Sequence, residues 1–144
     1  MKPREAVLAA AVCCLFLVIV VGAYVTVAGF GDACGSSIPA DWPGCQGGLF
    51  PPLQLGPVME YLHRVLAAFS TLFLLLAAAM FWRSPEAGRQ ARLTLLAACG
   101  LLVAQVVLGG VVIAQVEASA LVAAHQGLAV LTFGLAVAAF VKRA

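Results

Sequence analysis

The sequence predicts an all-α integral membrane protein, a bundle of four transmembrane helices, from its composition, its apolar runs and the placement of its basic residues. Of the 144 residues, 64% are hydrophobic and 10% are charged, whereas a water-soluble domain is about half apolar and about a quarter charged. The mean hydropathy is +1.09. Four spans of about 20 residues occupy most of the chain, which leaves too little sequence for a sizeable soluble domain.

The apolar runs place the spans at about 6–28, 57–82, 93–115 and 119–141, with an outer loop at 29–56. These continuous Leu, Ala and Val runs differ from the alternating segments of about ten residues in β-barrels. Seven of the eight basic residues lie before span one, between spans two and three, or after span four. The positive-inside rule therefore places both termini in the cytoplasm. Because these cations do not cluster on one face, nucleic-acid binding is excluded.

The first apolar run has an alternative interpretation as a cleaved signal peptide, because Lys2 and Arg4 precede it. Its length of 23 residues exceeds the usual signal-peptide core of roughly 7 to 15. We expect this run to remain as a helix. Residues 1–144 are then predicted to form a single four-helix membrane domain.

The five cysteines fall into two groups. Cys13, Cys14 and Cys99 lie inside spans, where a thiol usually packs as a small apolar side chain. Cys34 and Cys45 lie in the outer loop, on the oxidising side of the membrane. We expect a structural disulfide between them. A redox-active dithiol is the alternative, whereas a metal site would need further ligands that the loop does not offer nearby.

Both histidines of the sequence, His63 and His125, lie in spans, where an ionisable side chain is costly without a partner or a task. Each lies six residues after its predicted helix start, roughly 9 Å below the outer boundary. Gly22, Gly109 and Gly110 lie at the same level on the other two helices. Two imidazoles at one depth, beside glycines that let a flat group approach, predict a haem with two axial histidines. The alternative is that histidines and glycines only join neighbouring helices.

Glu60 lies three residues before His63, so a helix places both side chains on one face. As the acidic residue buried within a span, it needs a partner or a function. One interpretation is an ion pair with Arg64. The other is that Glu60 moves protons or stabilises positive charge beside a haem, while Arg64 binds a haem propionate.

A weak internal repeat relates the two halves of the chain. Setting His63 on His125 aligns Leu66 with Leu128 and Ala67 with Ala129, and setting Gly22 on Gly109 aligns Val25 with Val112. Two such helix pairs would be related by a pseudo-twofold axis along the membrane normal. Only the first pair carries Glu60 and Arg64.

The sequence resembles the haem A synthase family over nearly its whole length. Four motifs in order carry the resemblance: Gly22-Ala23-Tyr24-Val25-Thr26 with Gly29, Gly31, Cys34 and Asp41-Trp42-Pro43-Gly44-Cys45; Glu60-x-x-His63-Arg64; Gln105-x-x-Leu108-Gly109-Gly110; and His125. This resemblance implies that the protein oxidises a ring methyl of the substrate haem O to a formyl group, which gives haem A. It also implies Glu60 as the catalytic carboxylate, His63 and His125 as ligands of the haem iron, and a disulfide between Cys34 and Cys45.

Most members of that family have eight spans in two fused halves, the second of which binds haem b through its own histidine pair. This sequence corresponds to one half. We therefore expect either one haem site that serves both roles or assembly of several copies, and we favour a homo-oligomer. Haem O synthase and a terminal oxidase are further partners that the resemblance implies.

Two other function classes compete with this enzyme. The bundle could be a haem b electron carrier or a membrane anchor that leaves its haem unmodified. A small transporter has little support, because the buried polar residues gather near one membrane face and not at the midplane. Gln105 is the one central exception.

Overall fold

Four long helices make up the fold in the computed structural model, which describes residues 1–37, 41, 43–115 and 118–142. The helices are α1 (Pro3–Val27), α2 (Leu55–Arg83), α3 (Arg89–Ala114) and α4 (Ser119–Val141). All four are long and apolar enough to cross a membrane. The predicted all-α membrane fold class is therefore confirmed. Helix α3 begins four residues before the predicted span, because its first turn is polar and lies beyond the apolar run.

The helices form a ring in chain order. Helix α1 packs most extensively against α2, and α3 packs most extensively against α4. Smaller contacts between α1 and α4 and between α2 and α3 close the ring. Consequently α2 and α4, which carry the two histidines, stand diagonally across the bundle.

The hydrophobic core occupies one half of the bundle. One end of the bundle contains the start of helix α1 and the 84–88 connection, and we call it the terminal end. The opposite end contains the 28–54 connection, and we call it the loop end. The buried core residues are Leu8, Ala11, Leu15, Leu74, Ala77, Phe81, Ala87, Ala91, Leu95, Ala98, Leu102, Ala136 and Ala139. All of them lie in the half nearer the terminal end or at the middle of their helix. Cys99 packs against this core, whereas Cys13 is exposed on the outside of the bundle.

Buried positions recur at constant spacing between the two helix pairs. Several buried residues of α1 have a buried counterpart 87 residues later in α3. Several buried residues of α2 likewise have a buried counterpart 62 residues later in α4. The pairs are Leu8 and Leu95, Ala11 and Ala98, Leu15 and Leu102, Val25 and Val112, Ser70 and Thr132, Leu74 and Ala136, and Ala77 and Ala139. The same spacings relate Gly22 to Gly109 and His63 to His125.

Polar contacts close the terminal end. Arg4 donates a hydrogen bond from Nη1 to Ser84 Oγ at 2.7 Å, and its guanidinium carbon lies 5.6 Å from the centre of the Phe81 ring. Lys2 Nζ lies 2.5 Å from a carboxylate oxygen of Glu86. The hydrogen bond from Lys2 and its positive charge lower the pKa of Glu86. Glu86 is fully exposed, so this ion pair adds little to stability.

Replacing Phe81 with alanine tests whether this half holds the bundle together. Phe81 is fully buried, and Phe81→Ala removes its dispersion contacts, leaves a cavity and deletes the ring beneath Arg4. We expect the free energy of unfolding in detergent to fall by about 3 kcal/mol. The neighbouring Trp82 is 59% exposed, so Trp82→Ala is the matched control and should change it by less than about 1 kcal/mol. Equal losses in the two variants would contradict this placement of the core.

Candidate functional site

His63 is held by helix α1 from two sides. Its Nδ1 lies 3.1 Å from the backbone oxygen of Val18, to which an Nδ1–H donates. Its ring rests on Gly22, where an added Cβ would lie 2.6 Å from Cε1. A hydrogen bond at Nδ1 fixes the tautomer and leaves the Nε2 lone pair available. His63 is thus oriented as a ligand is, with one ring nitrogen anchored and the other open.

His125 is held by helix α3 at the corresponding positions. Its ring rests on Gly109, where an added Cβ would lie 3.1 Å from Cε1. Gln105 Nε2 lies 3.0 Å from His125 Nε2 and donates to it. His125 Nδ1 and Gln105 Oε1 are buried and have no hydrogen-bond partner among the described residues. This imidazole is therefore bonded through the nitrogen that His63 leaves open.

The two histidines lie in the half of the bundle nearer the loop end, on helices that stand diagonally across the bundle. Counted from the helix starts they lie eight and six residues inside α2 and α4, because α2 begins two residues before the predicted span. Their contact glycines, Gly22 and Gly109, each lie five residues before the end of their helix. The two rings therefore contact glycines that lie at the same distance from the loop end of their helices.

The glycines have a different immediate role from the one the sequence predicts. We expected Gly22, Gly109 and Gly110 to admit a flat ligand to the backbone. In the structure, the space beside Gly22 and Gly109 is filled by the histidine rings themselves, and only Gly110 has no atom of the described residues within 4 Å of a would-be Cβ.

Glu60 and Arg64 form an ion pair at the loop end of α2. Glu60 is 3% exposed. Its second carboxylate oxygen accepts a hydrogen bond from the backbone N–H of Cys34 at 2.6 Å. A buried carboxylate needs both a counter-charge and hydrogen-bond donors, and here it has both. The ion-pair interpretation of the sequence is therefore confirmed.

Arg64 joins this pair to the outer loop. Its Nη1 donates to the backbone oxygens of Asp41 at 2.6 Å and Gly44 at 2.8 Å, and its Nη2 donates to the backbone oxygen of Gly35 at 3.4 Å. Its Nε is buried without a partner among the described residues. The guanidinium thus serves as the centre around which the loop folds.

A disulfide between Cys34 and Cys45 closes the same loop, with Cα atoms 4.4 Å apart. The sequence prediction of this bridge is confirmed. Both cysteines are fully or almost fully buried, and the Cys45 N–H donates to the backbone oxygen of Gly48 at 2.9 Å. Because Cys34 also donates to Glu60, the bridge and the buried carboxylate belong to one connected network. Trp42 of the loop motif lies outside the described residues.

Several contacts at this site were not anticipated from the sequence. The Val18 oxygen and the Cys34 N–H are backbone groups, which carry no side-chain signal. The sequence indicates Gln105 only as part of a motif and as an isolated polar residue near the middle of its span. The spacing of 87 residues that relates Gly22 to Gly109 also relates Val18 to Gln105, and it could have identified Gln105 as a partner of His125.

The arrangement fits a haem as far as the residues of this chain determine the fit. Among the described residues, no group of three His, Cys, Asp or Glu side chains could hold a metal ion. Two imidazoles on diagonal helices would suit an iron whose macrocycle supplies the other four ligands. The buried, unpartnered Nδ1 of His125 and the confinement of the hydrophobic core to the other half of the bundle are consistent with a further group between the helices.

The chain is similar to known proteins along nearly its whole length. A family model described as cytochrome oxidase assembly protein matches residues 5–144. The haem A synthase of Bacillus licheniformis is 29% identical over 119 residues, which cover 83% of this chain and 38% of the relative. Those of Bacillus pumilus and Alkalihalophilus pseudofirmus are 28% and 27% identical and are covered to 38% and 40%. The chain thus spans about two fifths of the length of these relatives. No solved structure matches it significantly.

Adding a methyl group at the three glycines tests the seating of the histidines. Gly22→Ala drives a Cβ into a ring that the Val18 hydrogen bond holds in place, so we expect a loss of about 1–3 kcal/mol in the free energy of unfolding. Gly109→Ala should cost less, because the contact is 3.1 Å and not 2.6 Å. Gly110→Ala meets open space and should gain about 0.5–1 kcal/mol from helix propensity. Thermal and denaturant unfolding in detergent would measure this order, and the reverse order would contradict the contacts.

Proposed function

The chain belongs to the family of cytochrome oxidase assembly proteins, and from this premise we propose that it is a haem A synthase that oxidises a ring methyl of haem O to a formyl group within the membrane. The observation that carries the proposal is the pair of histidines on diagonal helices, each seated on a glycine of the neighbouring helix, with a buried carboxylate one turn from His63. The names of the similar proteins support the same activity. In this proposal the enzyme is an oxidoreductase and haem O is its substrate.

His63 and His125 would hold the iron of the porphyrin from opposite faces. The hydrogen bond from His63 Nδ1 to the Val18 oxygen supports this role, because it occupies Nδ1 and leaves the lone pair of Nε2 for the iron. When bound, the haem would supply the ring methyl that is oxidised, and its iron would be the group that the two histidines hold. The two rings then fix the height and tilt of the macrocycle, while Gly110 leaves open space at the same level of α3.

Glu60 would be the catalytic carboxylate. It lies on the loop-end side of His63, one helical turn away, where a carboxylate can stabilise positive charge that develops on the macrocycle or accept a proton from the reacting carbon. Its bonds to Arg64 and to the Cys34 N–H hold it in a fixed orientation. A group that is already oriented loses less entropy when it acts on the substrate.

Arg64 would contribute mainly by positioning Glu60 and the loop. Its Nη atoms are engaged by three loop carbonyls and the carboxylate. Its unpartnered Nε is the donor available to a haem propionate. The disulfide between Cys34 and Cys45 would keep the Cys34 N–H in place beside Glu60.

We place the protein in a prokaryotic cell membrane as a multi-pass protein with both termini in the cytoplasm. The basic residues near the terminal end support this orientation. It puts the loop end, with its disulfide, on the oxidising side of the membrane. The constant spacing of buried positions supports an internal repeat of two helix pairs about a pseudo-twofold axis, on which the iron would lie.

The assembly would contain more than one four-helix unit. One unit offers one pair of histidines, so a separate haem b site beside the substrate site requires a second unit. We propose a homo-oligomer in which copies supply these sites to each other. Haem O synthase, which would deliver the substrate, and a terminal oxidase, which would receive the product, are its proposed functional partners.

The histidine ligands can be tested by their optical spectra. Protein purified from cells that supply haem O should give a low-spin haem spectrum, because two imidazoles produce a strong ligand field. His63→Ala and His125→Ala should each lose it, whereas Leu62→Ala, which truncates a 40% exposed neighbour, should keep it. A low-spin spectrum of normal intensity in both histidine variants would refute ligation by this pair.

The catalytic assignment needs a measurement of product. We expect Glu60→Gln to retain bound haem but to convert haem O to haem A at least about 100-fold more slowly, which corresponds to the usual contribution of a positioned acid or base. The amide keeps the size of the side chain and its bond from the Cys34 N–H. Glu86→Gln, at the far end of the bundle, is the control. Pigment extraction and chromatography would measure the conversion, and a normal rate in Glu60→Gln would remove Glu60 from catalysis. Unmodified haem in every variant and in the original protein would instead favour an electron carrier.

A further inference from the structure

The two histidines differ in which ring nitrogen is occupied. At His63, the backbone oxygen of Val18 binds Nδ1 and leaves Nε2 open. At His125, the side chain of Gln105 binds Nε2 and leaves Nδ1 buried without a partner among the described residues. Val18 and Gln105 occupy corresponding positions, four residues before the contact glycines Gly22 and Gly109. The repeat therefore offers one histidine a fixed backbone acceptor and the other a movable side-chain donor.

We propose that Gln105 is a positioning residue that caps His125 whenever His125 is not bound to iron, so that His63 is the permanent axial ligand and His125 the exchangeable one. This inference rests on the proposed function. The lone pair on His125 Nε2 would bind the iron in one state and accept the Gln105 N–H in the other. Substrate entry and product release would then proceed through an opening at His125 while His63 stays in place.

The packing of the two rings supports this division of roles. The ring of His63 lies closer to its glycine than that of His125, with Cβ-to-Cε1 separations of 2.6 and 3.1 Å. Gly22 is buried, whereas Gly109 is partly exposed. His63 therefore has less space in which to tilt. A glutamine has three rotatable side-chain bonds, so its amide can withdraw from His125 without any movement of the backbone.

The hydrogen bond from Gln105 also lowers the free-energy cost of releasing His125 from the iron. A histidine that leaves iron inside the bundle would expose an unpaired ring nitrogen to an apolar environment, which is unfavourable by about 1–3 kcal/mol. Gln105 satisfies that nitrogen and so stabilises the released state. Removing the donor should therefore hold His125 on the iron for longer.

The test measures how readily the sixth coordination position opens. Carbon monoxide binds ferrous haem only after an axial histidine has left, so its binding rate reports the population of the open state. We expect Gln105→Leu in the purified haem-loaded protein to bind carbon monoxide about 2- to 10-fold more slowly, the factor expected from one neutral hydrogen bond. Gln105→Asn, whose amide is one methylene too short, should slow binding in the same direction and guards against a folding defect in the leucine variant.

Two comparisons make the result specific. Gln126→Leu changes the neighbouring glutamine of α4 and should leave the carbon monoxide rate unchanged. His125→Ala should retain more haem than His63→Ala, because the permanent ligand remains. A rate in both Gln105 variants equal to or faster than the original, or greater haem loss from His125→Ala, would overturn the inference. Absence of a low-spin spectrum in the original protein would instead overturn the proposed ligation itself, so the two failures are distinguishable.

Discussion

The structure depends on the contact between an imidazole on the second helix of each pair and a glycine on the first. A polar ring can be held within an apolar bundle only if its nitrogens find partners and its bulk finds space. Gly22 provides that space for His63, and the backbone oxygen of Val18 provides the partner. Each ring is therefore seated within its own helix pair, and the two pairs place their histidines on diagonal helices of the bundle.

The packed core and the candidate site occupy opposite halves of the molecule. The half nearer the terminal end is packed by leucine, alanine and the buried Phe81 ring, with no requirement for a bound group. The half nearer the loop end is organised by polar contacts: the histidines, the pair of Glu60 with Arg64, and the loop that Arg64 gathers. A bundle built in this way can open around a ligand at one end while its core at the other end keeps the helices together.

The sequence predicts the helices and the main site residues because their signals are local. Apolar length defines a membrane helix, and His63, His125 and Glu60 stand out as ionisable groups inside such helices. The loop contacts could not be predicted, because the N–H that reaches Glu60 belongs to a backbone conformation set by the disulfide and by Arg64. Reading the glycines as access for a ligand was incomplete for a related reason: which group fills the space beside a glycine depends on how the helices are packed.

The asymmetry between the helix pairs follows from the lengths of their connections. In α2, Arg64 is satisfied by carbonyls of the long 28–54 connection as well as by Glu60. The α3–α4 connection comprises only residues 115–118, too few to surround a guanidinium. The position equivalent to Arg64, 62 residues later, is the uncharged Gln126. A buried carboxylate in the second helix pair would lack a neighbouring guanidinium and the loop carbonyls that hold it. The long loop is therefore the reason why a buried ion pair lies beside His63 and not beside His125. On the proposed function, this would place the carboxylate beside only one of the two residues that hold the iron, so the substrate would meet Glu60 on one side.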